Sequence, residues 1–179
     1  MTLAPLAMAT LLGSTASADE LPDRNLMVAA QLAVTVEPEE VGGMTVGLNV
    51  APLVVEWAFS PWVGLRANTL LNAQFGGPVT GLAHRGGGLS LPVYLPSRGD
   101  FGAMPGQGFY LGPFAGFSTN PLVDGTDLTL AAEAGVRFRL AERWSLSFAL
   151  QGGGSRLERP TRTAWVNHLG LYPSIGVWL

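Results

Sequence analysis

The stretch from Asp127 to Leu140 alternates between polar and apolar residues at almost every step. Its even positions are all apolar: Leu128, Leu130, Ala132, Ala134, Val136, Phe138 and Leu140. Its strongly polar residues all fall on odd positions: Asp127, Thr129, Glu133, Arg137 and Arg139. Successive side chains of an extended strand point to opposite faces, so the segment has one apolar and one polar face. The alternation resumes at Trp144 after a short polar turn, which predicts a long β-hairpin.

The same period of two recurs along the chain after residue 25. It predicts an all-β fold of eight antiparallel strands, at about 26–36, 44–58, 62–75, 88–97, 107–118, 127–140, 144–154 and 164–179. In the second of these strands the apolar positions change phase between Val50 and Leu53. A bulge near Ala51-Pro52 would shift the register by one residue, and proline is tolerated at bulges.

The composition indicates what kind of environment such strands fold in. The chain is 47% hydrophobic and only 13% charged, against about 25% charged in ordinary soluble domains. Its longest charge-free stretch after the N-terminus, Phe101 to Val123, contains five Gly and three Pro, which excludes a stable membrane-spanning helix. The net charge of −3 gives no basic face for nucleic acid, and the absence of Cys excludes disulfides and Cys-based metal sites.

The character of the two faces indicates which one meets the solvent. The polar face carries small and uncharged residues with a few charges, whereas the apolar face is a continuous surface of Leu, Val, Phe and Trp. Membrane barrels are apolar outside and polar inside, and soluble barrels are the reverse. The pattern therefore favours an up-and-down transmembrane β-barrel with a polar, side-chain-filled lumen. A soluble periplasmic ligand-binding barrel remains the alternative.

The connections agree with this assignment, with one exception. The links after the second and sixth strands are tight, whereas those after the first, third, fifth and seventh are predicted to be longer external loops, as in outer-membrane barrels. The link between the fourth and fifth strands, roughly Ser97 to Gly106, is longer than this rule predicts.

The N-terminus has the character of an export signal. Residues 1–18 are apolar, lack charge and end in Ala16-Ser17-Ala18, an A-x-A cleavage site. We therefore expect a signal peptide over 1–18 and a mature barrel domain over 19–179.

Three segments carry a family resemblance: GGLSLPVYLP (87–96), GFYLGPFAGFS (108–118) and LTLAAEAGVRFRLAERWSLSFAL (128–150). With the final strand they resemble the small eight-stranded outer-membrane β-barrels of the broad OmpA/OmpX-like class. The resemblance implies a Gram-negative outer-membrane location, contact with outer-membrane lipid and lipopolysaccharide, assembly by the outer-membrane insertion machinery, and a structural or surface-interaction role. The chain is expected to be a monomer.

The predicted lumen contains charges that must be paired or hydrated. An eight-stranded barrel is narrow enough for side chains to fill it. We expect a structural ion-pair and hydrogen-bond plug, and a narrow, porin-like pore is the alternative. The predicted members of this network are Glu56, Arg66, Asn68, Asn72, Gln74, Glu133, Arg137 and Arg139.

No catalytic, cofactor or metal site is predicted. His84 is assigned to the second external loop, and His168 to the lumen near the external end of the last strand. Ser174 shares a face with His168 but lies about 20 Å away along the strand, too far for a nucleophile and its base. The chain is therefore predicted not to be an enzyme, with an outer-membrane lipid-modifying enzyme as the alternative.

Surface charges suggest lipid contacts. Arg156, Arg159 and Arg162 in the predicted fourth loop suit the phosphates of lipopolysaccharide, because guanidinium groups bind phosphate well. Glu37, Glu39 and Glu40 form an acidic cluster in the first loop. The triplets Gly86–Gly88 and Gly152–Gly154 lack the strand-to-helix context of a phosphate loop and are interpreted as loop hinges.

Overall fold

The structure, a computed structural model, describes residues 25–38, 44–50, 53–76, 80–95, 106–122 and 124–179, with only the backbone of 37 and 38. The predicted signal peptide, the acidic cluster of side chains at 37, 39 and 40, and the predicted bulge at 51–52 lie outside these residues. The described part of the chain has no helix long and apolar enough to cross a bilayer.

All eleven strands of the described residues belong to one antiparallel sheet, so the prediction of an all-β antiparallel fold is confirmed. They are β1 (Leu26–Gln31), β2 (Val34–Pro38), β3 (Met44–Asn49), β4 (Leu53–Ser60), β5 (Val63–Phe75), β6 (Gly81–Ser90), β7 (Val93–Tyr94), β8 (Gly108–Asn120), β9 (Gly125–Arg139), β10 (Trp144–Arg159) and β11 (Arg162–Trp178).

Pairing links the two ends of the chain. β1 pairs with β4 on one side and with β11 on the other, and its Val28 lies opposite both Val55 and Val177. β2, which follows β1 in the chain, pairs with β3 on one side and with β11 on the other. We call the end of the sheet with the β4–β5 and β9–β10 connections the turn end, and the opposite end the loop end.

The described residues form eleven strands rather than the predicted eight, because three of the predicted strands are each divided in two. Prolines explain two of these divisions. Between β1 and β2, the Leu32 amide donates to the Pro173 carbonyl at 2.9 Å. Proline has no N–H, so Pro173 donates no bond in return. Between β6 and β7, Leu91 donates to the carbonyl of Pro113 at 3.2 Å, and Pro92 follows it in the chain. Each proline removes one hydrogen bond and interrupts its ladder.

The third division lies between β3 and β4, where the predicted change of phase is confirmed. The buried residues of β3 are at odd positions, Thr45, Gly47 and Asn49. Those of β4 are at even positions, among them Val54 and Glu56.

The polarity of the sheet is inverted relative to a soluble protein. Its enclosed face is polar, with Glu133 2% and Gln151 1% exposed. Its outer face exposes large apolar side chains, such as Leu130 at 49% and Leu169 at 58%. This is the arrangement that the alternating pattern predicts for a sheet with lipid outside.

Strands extend further towards the loop end than the sequence indicated. Gly86–Gly88 lie within β6 and Gly152–Gly154 within β10, so the interpretation of both triplets as loop hinges is wrong. The β10–β11 connection is correspondingly short, with Arg159 paired to Arg162. Neighbouring strands hold these glycines extended, and a Cβ on Gly88 would lie 2.5 Å from the Phe114 ring. Gly88 therefore provides space for the Phe114 ring.

Candidate functional site: a buried charge cluster and an interior cavity

Four charged side chains meet inside the sheet near its turn end: Glu56, Arg66, Glu133 and Arg137. Arg66 Nε lies 2.8 Å from Glu56 Oε2, and Arg137 Nη2 lies 2.7 Å from the same oxygen. Arg137 Nη1 also donates to Glu56 Oε1 at 3.0 Å, which makes this pair bidentate. Arg66 donates through Nη1 to Glu133. Two acids and two bases make this charge cluster formally neutral.

Three uncharged side chains complete its hydrogen bonds. The Tyr94 hydroxyl donates to Glu56 Oε1 at 2.6 Å and accepts from Arg66 Nη2 at 3.1 Å. Tyr110 accepts from Arg66 Nη1 at 3.2 Å. Gln151 donates to the second oxygen of Glu133 at 2.7 Å. Each carboxylate therefore has more than one donor, as a buried charge requires.

The register of the strands brings these groups together. Glu56 is directly opposite Arg66 in the β4–β5 ladder, and Glu133 is directly opposite Gln151 in the β9–β10 ladder. Glycine makes room for the larger rings, since a Cβ on Gly135 would lie 2.5 Å from the Tyr110 ring. Alternation placed Tyr94, Tyr110 and Gln151 on polar faces. Only the pairing between strands reveals that they contact the charges.

An apolar layer lies beside the cluster at the turn end. Met27, Ala29, Val54, Ala58 and Trp178 form one buried group. The Arg137 guanidinium carbon lies 5.6 Å from the centre of the Trp178 ring and 5.3 Å from that of Tyr94, within the range of cation–π attraction. The charges are therefore screened from the turn end by side chains.

The other predicted members of the lumen network lie elsewhere. Arg139 donates to the carbonyls of Ala141 and Glu142 in the β9–β10 turn. Asn68, Asn72 and Gln74 follow Arg66 along β5 towards the loop end. Asn72 donates from Nδ2 to Thr35 Oγ1 at 3.3 Å.

A second polar group occupies the loop half of the interior. His84 Nδ1 lies 2.9 Å from Asp127 Oδ2, and Arg159 Nη1 lies 2.6 Å from Asp127 Oδ1. His84 belongs to β6 and lines the interior, so its assignment to the second external loop is wrong. The strand begins seven residues earlier than the alternation indicated, because glycines obscure the pattern there.

Ser118 lies 3.5 Å from His84 Nδ1, across the β6–β8 ladder. Spacing along a single strand does not reveal this proximity, because the two residues belong to different strands. Ser118 and Asp127 both approach the same ring nitrogen. A nucleophile relay needs the acid on one imidazole nitrogen and the serine on the other, so this arrangement is not a relay. His168 Nε2 lies 3.3 Å from the Tyr172 hydroxyl.

The three arginines predicted to contact lipopolysaccharide do not form one patch. Arg156 faces outward and pairs with Glu158 at 2.8 Å, both side chains being nearly half exposed. Arg159 belongs to the interior group with Asp127. Arg162 is exposed at the start of β11. The expectation that all three lie on a loop is wrong, because β10 and β11 continue to a tight connection.

Together these features define an all-β antiparallel sheet that resembles an outer-membrane barrel, with charges inside and apolar residues outside. No family model and no curated protein sequence matches the chain. Among solved structures it is similar to the crystal structure of Neisserial surface protein A (NspA), with a TM-score of 0.57 and 11% sequence identity. The match covers 86% of this chain and 97% of that one. At this identity the similarity concerns the fold alone.

Proposed function

We propose that the chain is a small monomeric β-barrel of the Gram-negative outer membrane, with a structural or surface-interaction role and no enzymatic activity. In this proposal β1 with β2, β3 with β4, and β6 with β7 each form one interrupted strand. The sheet then has eight strands and closes through the pairing of β1 and β2 with β11. Closure satisfies the backbone groups of every strand, as a bilayer requires.

The observation that carries the proposal is the inverted polarity. A soluble monomer rarely exposes a large continuous apolar patch, yet here Leu130, Phe148 and Leu150 are all exposed on neighbouring strands. The strands are also long enough, since β8 to β11 contain 13 to 17 residues and a tilted crossing needs about 9–11. Lipid contact accounts for both features.

The buried charge cluster supports a plugged lumen rather than a pore. Its ion pairs join β4 and β5 on one side of the interior to β9 on the other. An ion would have to separate charges that hold each other through short, multiple hydrogen bonds, and this is costly at low dielectric. We propose that this cluster closes the turn half of the lumen.

Lipopolysaccharide contact is proposed mainly for Arg156. It projects outward next to the exposed Trp165, which lies opposite it in the β10–β11 ladder. Aromatic residues favour the membrane interface, and a guanidinium at that level meets lipid phosphates. The internal bond of Arg159 to Asp127 argues against the same role for Arg159. Assembly by the outer-membrane insertion machinery is part of the proposal.

Two measurements test it. The full chain, expressed with residues 1–18, should be found in outer-membrane fractions and should migrate faster on a gel when unheated than when boiled. In planar bilayers it should carry no steady current. A monomer that stays soluble without detergent would refute the membrane location, and a steady ion current would refute the plug.

A further inference from the structure

A small cavity lies in the loop half of the interior, beyond the charge cluster. Its volume is about 40 Å³, room for only a few water-sized groups, since one water needs about 10–15 Å³ by this measure. The side chains that matter for its chemistry are Asn68, Asn72, His84, Phe114, Asp127 and Tyr172. Five different strands contribute them, so the cavity is a product of the whole fold.

The amide oxygens in this cavity are acceptors that lack donors. Asn72 is 7% exposed, and its Nδ2 is oriented towards Thr35. Its Oδ1 is buried and has no partner within the described residues, and the same holds for Asn68 Oδ1. Leaving a buried amide oxygen without a donor destabilises the folded protein. A ligand with N–H or O–H groups would remove that cost.

His84 also lines the cavity, and its Nδ1 lies 2.9 Å from Asp127 Oδ2. Among the described residues that form the cavity wall, Asp127 is the one carboxylate and none is an arginine. Arg159 binds the other carboxylate oxygen.

The remaining wall contains aromatic rings beside aliphatic and hydroxyl side chains, among them Leu70, Leu157 and Ser155. Phe114 and Tyr172 line the cavity, and the Phe114 ring covers Gly88 and Gly116, where a Cβ would lie within 3.0 Å of it. Aromatic faces attract cations. Amide oxygens, a carboxylate and aromatic faces together form a surface that complements a positively charged group with several N–H donors.

We propose that this cavity binds a primary ammonium group, either as a small free amine or as the end of a longer amine. The ammonium N–H groups donate to Asn72 and Asn68, and its charge lies near Asp127 and the aromatic faces. The small volume excludes quaternary ammonium ions. A metal ion is disfavoured, because the described residues contain no convergence of three His, Asp or Glu side chains.

The test is titration of the detergent-folded full chain with methylammonium chloride at about pH 8, where the methylammonium ion keeps its charge. Binding is followed by calorimetry and by the line width of the ligand methyl signal in NMR. We expect saturable binding of methylammonium, and neither sodium nor tetramethylammonium, which has no N–H, should compete. Asn72→Leu should weaken binding by about 10-fold or more, the loss of a hydrogen bond to a charged group.

The matched control is Asn167→Leu, the same change at an exposed position of β11. It should bind as the unaltered chain does. Asp127→Asn provides a second variant should Asn72→Leu fail to fold, as judged by heat-dependent gel migration. Three results would overturn the proposal: a cavity that takes up only water, equal binding of tetramethylammonium, or undiminished binding in the folded variants. Butylammonium, compared with methylammonium, distinguishes the end of a longer amine from a small free amine.

Discussion

Glu56 of β4 and Arg66 of β5 face each other directly across the sheet, with Arg66 Nε 2.8 Å from Glu56 Oε2. Both side chains are almost wholly buried. Arg137 reaches the same carboxylate from β9 at 2.7 Å. A single carboxylate therefore balances two guanidinium groups that belong to different walls of the interior, and Glu133 supplies the second negative charge.

Replacing Glu56 with Gln should destabilise the protein strongly. The change leaves two buried guanidinium groups with one carboxylate, and removing one partner of a buried pair costs about 3–5 kcal/mol. The measurement is the free energy of unfolding in urea, with the protein folded in detergent or lipid. Glu158→Gln is the control, because Glu158 and Arg156 form an exposed pair expected to contribute less than about 1 kcal/mol. Equal effects of the two changes would contradict the structural importance of the cluster.

Removing one acid and one base together should open the lumen. The double variant Glu56→Ala with Arg137→Ala keeps the cluster neutral but removes the side chains that join β4 to β9. We expect ion current across planar bilayers from this variant and none from the unaltered chain. Glu158→Ala with Arg156→Ala removes a pair on the outer surface and should remain silent. A silent Glu56 and Arg137 variant that is correctly folded would mean that another layer, such as Trp178, closes the lumen.

The sequence predicted which face of its strand each side chain lies on, but not which residues of other strands it contacts. Alternation is a property of one strand, so it assigned Glu56, Arg66, Glu133 and Arg137 to one common face. Contacts such as Tyr94 to Glu56 depend on the register between strands 38 residues apart, which no single-strand pattern contains. The proximity of Ser118 to His84 was not predicted for the same reason, because it also depends on the pairing of two strands.

Glycine and proline account for the errors in strand bounds. Gly86–Gly88 have no side chains to alternate, so β6 could not be recognised before residue 88. Pro92 and Pro173 lie in segments whose other residues alternate, but they lack the N–H that a continuous ladder needs. The pattern therefore predicted continuous strands where the backbone pairing is interrupted.

Leu150→Arg tests the lipid-facing surface. Leu150 lies midway along β10 and is 57% exposed, so in the proposed membrane it meets the hydrocarbon. An arginine near the bilayer midplane costs about 2–4 kcal/mol in a membrane barrel and about 0–1 near the interface. Leu122→Arg, in the β8–β9 connection, is the control and should cost little. The readout is the free energy of unfolding in lipid vesicles, and a neutral Leu150→Arg would contradict lipid contact at this face.

Gly135→Ala tests whether the space left by glycine holds the cluster together. A Cβ at this position would lie 2.5 Å from the Tyr110 ring and 2.6 Å from the Phe148 carbonyl, so the ring must move. The Tyr110 hydroxyl, which accepts a hydrogen bond from Arg66 Nη1 at 3.2 Å, moves with it. Overpacking of this kind costs about 1–3 kcal/mol. Gly152→Ala in β10 is the matched change, because its Cβ would meet nothing within 4 Å and alanine stabilises a strand by about 0.5–1 kcal/mol relative to glycine. We expect Gly135→Ala to lower the free energy of unfolding in urea and Gly152→Ala to raise it. A stabilising Gly135→Ala would show that Tyr110 does not need this space.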